Sequence, residues 1–450
     1  MSVRVRIKRG VDIKLKGVPD KVLSNAPLST EFAIKPTDFH GIVPRLMVKE
    51  GESVKTGSPL FHDKADERIK FTSPVSGSIT EIVRGEKRRI LEVRIKADEE
   101  QSYESFSIGN PKDISREQII KLLLDAGLWP LIRQRPYSII ANPDVSPKSI
   151  FISAFDSNPL AADNDFVVHG NGELFQLGLD AIIKLTDGKV HLNVRSGGTA
   201  SKVFLNAKGV IINEFSGPHP SGNVGVQIHH IDPINQGEHV WYLTPQDVLT
   251  IGRFFKEGRF NSERIVALGG PSVSKPKYFK TIIGASAKSI IESNINGDNN
   301  RIISGSVLSG TKIEQDGNIG FYDTQLSVIP EGNHEEFFGW LSPGLSKFSL
   351  SRTFLSWLMP GKEYFLNTNL HGEERAFVMT GQYEKVFPFN IYPVQLLKAI
   401  LIGDVELMEN LGIYEVAPED FALCEFACTS KINVQEIVRQ GLDLIQKECG

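Results

Sequence analysis

Two cysteines near the C-terminus, Cys424 and Cys428, have the residue type and spacing that would suggest redox or metal chemistry. A ferredoxin-type iron–sulfur cluster needs four thiolates, typically in the pattern C-x2-C-x2-C-x3-C-P. The only other cysteine is Cys449, so a cluster site cannot be completed and zinc would need a fourth ligand. Two interpretations remain open: a cluster domain that has lost its cluster, or two thiols buried one helical turn apart in a core.

Histidines offer a second set of possible metal ligands. His219 lies in the Gly/Pro-rich run Gly217–Gly222, and His229 and His230 follow it with Asp232 close behind. The spacing matches no established metal motif, and neighbouring histidines on a strand would point to opposite faces. We expect a rigid loop with a hydrogen-bonded histidine and no metal. No nucleophile elbow lies in a convincing context, so no catalytic residue is predicted.

The run Gly127–Tyr137 is predicted to be a loop that follows a helix, and it contains Trp129, Arg133 and Arg135. A flavin or dinucleotide site would need several glycines here, so that backbone N–H groups could approach the phosphates. The bulky side chains therefore argue against a nucleotide cofactor. The two arginines could bind an anion or a partner's carboxylate, or serve only structure. Ser196–Thr199 lacks the lysine of a phosphate-binding loop, and we expect a plain turn.

Two glycine-punctuated runs near the N-terminus predict tight hairpins, Val48–Leu60 and Phe71–Ile79. Together they resemble the biotinyl/lipoyl-type barrel-sandwich domain. Such domains can carry a cofactor on a lysine at a hairpin tip, and Lys64 lies in about that place. Its neighbours Asp63 and Ala65 are not the expected methionines, so a solvated lysine is the plainer expectation.

Length and composition limit the class of protein. A chain of 450 residues should form about three domains. Its formal net charge of −4 argues against binding nucleic acid through the phosphate backbone. Three cysteines give no disulfide framework, which fits a reducing compartment. The charged N-terminus does not look like a signal peptide, and no apolar run approaches about 18 residues, so we expect any membrane contact to be made through partners.

Periodicity and turn signals predict an α+β protein of several domains. A barrel-sandwich hybrid domain is expected at 1–98 and a Rossmann-like α/β domain with a mainly parallel sheet at 114–257. A small ubiquitin-like β module of the SLBB type is expected at 262–312. The C-terminal region, 313–450, begins with strand signals and ends in helices, with a remnant of a cluster-binding helical region.

Helix starts are marked by capping residues. Ser115 and Gln118 form a predicted capping box before an apolar helix. Thr244 followed by Pro245 predicts a helix that runs to about residue 256. Near the C-terminus, Asn433 is placed to begin the last helix.

Over nearly its full length the chain resembles the A subunits of bacterial sodium-translocating NADH:quinone reductases. That family is similar in architecture to the flavin- and NADH-binding subunit of respiratory complex I, but the glycine-rich flavin loop and the full cluster motif of those relatives are missing here. The segments that carry the resemblance are Asp63-Lys64 with Phe71–Gly77, Arg84–Arg88, Gly127–Trp129, Arg133–Pro136, Asp156–Asp163, Gly217–Pro220, Ala267–Gly270, Arg301–Leu308, Phe338–Trp340 and Leu423–Cys428.

The resemblance implies a peripheral subunit without a cofactor of its own, at the cytoplasmic face of the bacterial inner membrane. The whole enzyme oxidises NADH, reduces quinone and exports Na+. FMN, FAD, riboflavin and iron–sulfur centres are expected in the partner subunits, B to F. The chain alone is not expected to be catalytic.

Within such an enzyme the resemblance implies a place near the quinone. A quinone head needs an apolar slot with one or two donors, and two segments offer that mix. One is Phe39–Pro44 with His40; the other is Trp129–Tyr137, in which Trp129, Arg133, Arg135 and Tyr137 are expected to lie close to quinone. The alternatives are a purely structural docking scaffold, or a lipoyl or biotin carrier modified at Lys64.

Overall fold

The computed structural model describes residues 2–27, 29–198, 200–333, 338–339 and 341–449. Among them its strands are β1 (Arg4–Arg6), β2 (Asp20–Asn25), β3 (Glu31–Ile34), β4 (Pro44–Leu46), β5 (Ser53–Val54), β6 (Pro59–Asp63), β7 (Lys70–Thr72), β8 (Gly77–Arg84), β9 (Ile90–Ala97), β10 (Arg133–Arg135), β11 (Ile139–Ile140), β12 (Ser149–Ser153), β13 (Lys189–Arg195), β14 (Ile211–Ser216), β15 (Val240–Leu243), β16 (Glu263–Gly269), β17 (Lys277–Ile282), β18 (Asn300–Ser304), β19 (Thr311–Ile313) and β20 (Gln325–Pro330).

The helices of the described residues are α1 (Arg116–Asp125), α2 (Asn164–Val167), α3 (Gly172–Ile183), α4 (Lys202–Leu205), α5 (Val224–Ile231), α6 (Pro245–Glu257), α7 (Lys288–Ile291), α8 (Tyr383–Val386), α9 (Pro393–Ile402), α10 (Val405–Asn410), α11 (Ala422–Ala427) and α12 (Val434–Cys449). None of them is long and apolar enough to cross a membrane.

The predicted helix starts are confirmed at two positions. The Ser115 side chain accepts from the Gln118 N–H and the Gln118 side chain binds back, so α1 begins with a complete capping box. Thr244 and Asp247 form the same reciprocal pair at the start of α6, with Pro245 in the first turn. The last helix, α12, begins directly after Asn433.

The α/β domain is built on a seven-stranded sheet with the order β1-β14-β13-β12-β15-β10-β11. The first five strands of that order are parallel, β10 is antiparallel to β15, and β11 is antiparallel to β10. The mainly parallel sheet predicted from the sequence is therefore confirmed. Its edge strand β1 comes from the first residues of the chain, within the range predicted for the barrel, so the N-terminus is an integral part of this sheet.

Helices α3 and α6 cross closely on this domain. A Cβ atom on Gly178 would lie 2.1 Å from the Val248 carbonyl oxygen, and one on Gly252 would lie 2.0 Å from the Leu174 carbonyl oxygen. Only glycine permits backbones to approach this closely.

The barrel domain consists of a four-stranded sheet, β3-β9-β8-β5, and a three-stranded sheet, β4-β6-β7. Its core holds Val93 and Ile95 with no exposed surface, together with the rings of Phe61 and Phe71, which stack with centroids 4.6 Å apart. Alternating apolar residues on short strands therefore form the barrel-sandwich fold that the glycine-punctuated runs predicted.

The third domain has a six-stranded sheet with the order β19-β18-β20-β16-β17-β2. Two of its strands lie outside the range 262–312: β20 pairs between β18 and β16, and β2 pairs with β17 from the N-terminal region. The sheet is thus completed by segments distant in sequence, which local patterns cannot reveal.

The C-terminal helices pack on the α/β domain. One core cluster joins Phe151 and Phe215 of the sheet to Leu396 of α9 and Leu442 of α12. In α12 the buried apolar residues recur every three to four positions, as Val434, Val438, Leu442 and Ile445. The buried face of α12 therefore packs into the core that the α/β sheet shares with the C-terminal helices.

Candidate functional site at the domain junction

The two segments that the sequence predicts to lie near quinone, Phe39–Pro44 and Trp129–Tyr137, meet at a junction of three domains. The Phe39 ring lies 4.8 Å from that of Phe321 and 5.6 Å from that of Tyr322, between centroids. The Tyr322 hydroxyl donates to the Pro130 carbonyl oxygen at 2.7 Å. The barrel, the α/β domain and the third domain therefore share one aromatic contact region.

Arg133 lies inside this region with its guanidinium between two tyrosine rings. Its Cζ atom is 4.6 Å from the centroid of the Tyr242 ring and 4.5 Å from that of Tyr322. Among the residues that the structure describes, its Nε has no hydrogen-bond partner. The cation is thus stabilised by two aromatic faces, which leaves guanidinium N–H groups available for a further acceptor.

Arg135 is fully buried, and both of its terminal Nη atoms bind carboxylates of this chain, whereas its Nε has no hydrogen-bond partner among the described residues. Its Nη1 lies 2.9 Å from Asp420 Oδ2 and its Nη2 lies 2.7 Å from Glu419 Oε1. Burial raises the pKa of the Asp420 carboxyl, and the Arg135 guanidinium counteracts part of that rise. The sequence segment expected to be a loop is a short strand here, β10, which directs Arg135 toward the C-terminal helices.

Trp129 is likewise an internal residue. It has no exposed surface, and its indole N–H donates to the Ala141 carbonyl oxygen at 2.7 Å. Its ring meets that of Trp241 edge to face, with centroids 5.5 Å apart. The indole N–H of Trp129 and the two Nη atoms of Arg135 all bind groups of this chain. These two side chains therefore shape the junction.

Tyr137 and His40 are both connected to helix α12. Arg439 donates through Nη2 to the Tyr137 carbonyl oxygen at 2.8 Å and through Nε to Asp443 Oδ1 at 3.0 Å. The His40 Nε2 lies 2.7 Å from the same oxygen of Asp443. Burial raises the pKa of the Tyr137 hydroxyl. One turn of α12 thus brings together two of the predicted residues from different domains.

His40 is the residue of the predicted set that is exposed to solvent. The Tyr137 side chain is buried, and its ring meets that of Tyr414 edge to face with centroids 6.5 Å apart. The potential donors at the junction are therefore the His40 imidazole, the Arg133 guanidinium and the Tyr137 hydroxyl.

The cysteine pair forms part of the core of the C-terminal helices. Cys424 and Cys428 are buried, whereas Cys449 is exposed at the end of α12. The Tyr383 hydroxyl donates to Cys428 Sγ at 3.0 Å, and burial raises the pKa of the Cys424 thiol. Among the described residues no group of three histidine, cysteine or acidic side chains is arranged to hold a metal ion.

The adjacent histidines lie on helix α5, so their expected position on a strand is wrong. The His229 Nδ1 lies 2.6 Å from Glu415 Oε2, and its Nε2 accepts from the Asn390 N–H at 3.0 Å. His230 bonds through Nδ1 to the Val226 carbonyl oxygen within the helix. Each imidazole therefore has a partner in the fold.

His219 lies in the Gly/Pro loop as a buried, hydrogen-bonded residue, as the sequence predicted. Its Nδ1 lies 3.0 Å from the Ser157 hydroxyl, and the backbone N–H of His219 donates to Asp12 Oδ1 at 2.8 Å. Burial lowers the pKa of His219 to about 4. This residue therefore stays neutral and fixes the loop against the N-terminal segment.

The two remaining candidate positions lie away from the junction. Lys64 is exposed at the hairpin between β6 and β7. In the run Ser196–Thr199, the Ser196 hydroxyl donates to Glu214 Oε2 at 3.0 Å, and Thr199 lies outside the described residues. Trp340 of the run Phe338–Trp340 also lies outside the described residues.

Several residues of the junction were not anticipated from the sequence. They are Tyr242, Tyr322, Glu419, Asp420, Arg439 and Asp443. The partners of Arg135 are 284 and 285 positions away in sequence, and Arg439 is 302 positions from Tyr137. No local pattern signals pairs at such separations, so only the tertiary structure could identify them.

Comparison with known protein families accounts for three segments of the chain. Residues 5–98 match the NqrA N-terminal barrel-sandwich hybrid domain, residues 114–260 the NqrA second alpha/beta domain, and residues 265–315 a segment described as the NQRA C-terminal domain.

Curated relatives match the whole chain. The A subunit of the Na(+)-translocating NADH-quinone reductase of Photorhabdus laumondii is 38% identical over 99% of this chain and 100% of its own length. The proteins of the same name from Hahella chejuensis and Yersinia pestis are each 40% identical, again over 99% of this chain and 100% of theirs.

Among solved structures, that of NAD+-reducing [NiFe]-hydrogenase in the air-oxidized state aligns with 75% of this chain and 62% of that chain. The TM-score is 0.40 and the identity 12%, a likeness too low to support a shared fold.

Proposed function

The chain belongs to the family of the A subunits of Na(+)-translocating NADH-quinone reductases, and from this premise we propose that it helps to build or gate the quinone site. It is a subunit of a translocase complex. Its substrate-facing part is the junction of Phe39–Pro44 with Trp129–Tyr137, on the cytoplasmic side of the membrane, where the membrane subunits would complete the slot for the quinone head.

The observation that carries this proposal is the convergence of those two segments. They lie far apart in sequence, yet Phe39, Tyr322 and Pro130 join them into one aromatic region, and α12 holds His40 and Tyr137 from the same side. Aromatic surface with a few donors is the usual composition of a small-molecule site. An affinity near 1 μM requires about −8 kcal/mol, which a few buried aromatic contacts and one donor can supply.

The donor roles follow from the contacts. The His40 imidazole, the Arg133 guanidinium and the Tyr137 hydroxyl would be the donors to the carbonyl oxygens of the quinone. Trp129 and Arg135 would hold this arrangement rigid, because their own donors bind Ala141, Glu419 and Asp420.

The redox centres of the complex, FMN, FAD, riboflavin and iron–sulfur clusters, would reside in the partner subunits B to F. Two features of this chain support the absence of a redox centre of its own. Two of the three thiols are buried in a helical core, and the segment where a flavin loop would be expected is filled by Trp129 and Arg135.

Photolabelling tests the proposal. The intact complex is illuminated with a photoreactive quinone analogue, digested, and the labelled peptides are mapped, with excess unlabelled quinone as the competitor. We expect competed label in Phe39–Pro44 or Trp129–Tyr137. Label found only in the membrane subunits, or only in segments of this chain that do not contact the junction, would contradict it and leave the docking scaffold as the better account.

A further inference from the structure

The segment from Leu341 to Lys362, called the apolar loop below, presents large apolar side chains to solvent. The most prominent are Leu341, Leu345, Leu355, Trp357, Leu358 and Met359. Leu341 is 64% exposed, Leu358 59% and Trp357 45%. Exposed apolar patches of this kind mark sites that contact another apolar phase or molecule.

The apolar loop has internal structure that turns these side chains outward. Ser356 is buried, and its hydroxyl donates to the Lys347 carbonyl oxygen at 2.5 Å. The Phe348 ring packs against those of Tyr364 and Phe426, with centroids 5.4 and 5.5 Å away. Phe348 thus anchors the loop to the C-terminal core, while Trp357 and its neighbours remain outside.

The charge of the apolar loop is uniformly positive. Residues 341–362 contain three cations, Lys347, Arg352 and Lys362, and no acidic residue, although the whole chain has a net charge of −4. Arg352 lies with its Cζ 5.4 Å from the centre of the Trp357 ring, so a cation accompanies the exposed aromatic side chain.

Two further cations border the loop from the N-terminal segment. The Lys14 Nζ donates to the Pro360 carbonyl oxygen at 3.0 Å, and the backbone N–H of Lys16 donates to the Tyr364 carbonyl oxygen at 2.9 Å. Both lysines are exposed. Cations from two separate parts of the chain therefore border the apolar surface, and the acidic residue that follows it directly in sequence is Glu363.

A second exposed apolar patch has the opposite surroundings. Leu401 is 55% and Ile402 73% exposed at the end of α9. The residues that follow them include Asp404, Glu406 and Glu409. A surface of negative lipid headgroups would repel this patch, whereas it would attract the apolar loop.

We propose that the apolar loop docks this protein directly on an anionic lipid surface. Its leucines and Trp357 enter the headgroup region, and Arg352, Lys14 and Lys16 face the lipid phosphates. Apolar insertion combined with attraction by basic residues is the physical basis of peripheral membrane binding. The proposal is independent of the quinone assignment, because it concerns a different surface and a different ligand.

Vesicle flotation of the purified full chain tests it. Vesicles of phosphatidylcholine are compared with vesicles in which part of that lipid is phosphatidylglycerol. We expect the chain to float with the anionic vesicles only and to dissociate at high salt. Because each basic residue near such a surface strengthens binding roughly fivefold, Arg352→Glu should weaken it by more than about fivefold.

The matched variants separate the two apolar patches. Trp357→Ser with Leu358→Ser should abolish flotation, since the inserting side chains are lost. Leu401→Ser with Ile402→Ser, which also removes two exposed apolar side chains, should leave it unchanged. Absence of flotation with the wild-type chain, or equal losses in both double variants, would overturn the proposal, as would a wild-type loop that binds only a protein subunit.

A conservative variant guards against loss of folding. Trp357→Phe keeps an aromatic ring at this position and should still bind. Brominated phosphatidylglycerol quenches tryptophan that reaches the acyl boundary, so quenching should be strong in the wild-type chain and largely lost in Trp357→Phe. Equal quenching of both proteins would show that Trp357 does not enter the lipid.

Discussion

At the scale of single residues, the decisive feature is the buried cation Arg135. Its side chain is enclosed by the C-terminal region and neutralised by Asp420 and Glu419. A buried ion pair is weak evidence for stability as such, but removal of one partner leaves an uncompensated charge. The interaction therefore commits the α/β domain and the C-terminal helices to one relative arrangement.

Replacing Arg135 by leucine should destabilise the chain by about 3–5 kcal/mol, because Asp420 would stay buried without its partner. Urea unfolding followed by circular dichroism measures this. The matched control is Arg68→Leu, whose ion pair with Asp144 is solvent-exposed and should contribute much less. Similar losses for both variants would contradict the role of Arg135.

His219 should make stability depend on pH. Its pKa is lowered from 6.5 to about 4 by burial, so the folded protein holds a neutral imidazole while the unfolded chain takes up a proton. The stabilisation that this neutral imidazole contributes is fully present above pH 6.5 and is lost as pH falls toward 4, by about 3 kcal/mol.

The change His219→Gln should reduce the slope of unfolding free energy against pH between 6.5 and 4. Part of the slope should remain, because burial also lowers the pKa of His191 to about 4. An unchanged slope in His219→Gln would show that this imidazole protonates in the folded state.

At the scale of elements, the close crossing of α3 and α6 fixes the packing of the α/β domain, and the attachment of α12 to two domains positions the junction. The glycines at the crossing let both helices pack tightly, and Asp443 and Arg439 on α12 hold His40 and Tyr137. Helix α12 thus connects the barrel domain to the α/β domain.

The crossing should not tolerate even one methyl group. Gly252→Ala would place a Cβ 2.0 Å from the Leu174 carbonyl oxygen, which forces the helices apart and should cost about 1–3 kcal/mol. Gly198→Ala is the control, because a Cβ there meets nothing within 4 Å. Thermal unfolding of both variants measures the difference in stability. An unchanged melting temperature in Gly252→Ala would mean that the two helices can move apart at little cost.

Helix α12 should influence quinone use without holding the complex together. Asp443→Ala releases His40 and Arg439, so the apparent KM for quinone of the intact complex should rise while subunit content stays constant. Glu436→Ala changes an exposed acid of the same helix and should have no effect. An unaltered KM in Asp443→Ala would count against the assignment of His40.

At the scale of the whole molecule, the chain is expected to work as a part of a larger assembly and to carry no redox centre itself. The purified protein should show no visible absorption from flavin or iron–sulfur cluster. Stoichiometric flavin or iron in the spectrum would refute this.

Replacing Cys424 and Cys428 together by alanine should leave electron transfer in the assembled complex largely intact. The two buried side chains fill core volume, so their loss should cost about 1–3 kcal/mol of stability. Cys449→Ala, at an exposed thiol, is the control. Loss of quinone reduction in a fully assembled complex would show that the pair has a redox role.

Local patterns predicted the class of fold and many of the elements, but not the strand β10 or the helix that carries His229 and His230. The capping residues Ser115 and Thr244 predicted helix starts because a cap needs only residues three positions apart, and the alternation of strands and helices predicted the parallel sheet. The glycine-punctuated runs predicted the barrel for the same reason. Each of these predictions depends on residues that lie within a few positions of each other in sequence.

Tertiary structure decided how the domains interlock and which candidate residues face outward. The sequence could not show that β1 completes the α/β sheet, that β2 joins the third sheet, or that Arg135 points inward to Asp420 while His40 remains exposed. Such pairings join residues hundreds of positions apart, and their energies depend on burial and mutual geometry, which no local pattern of residues contains.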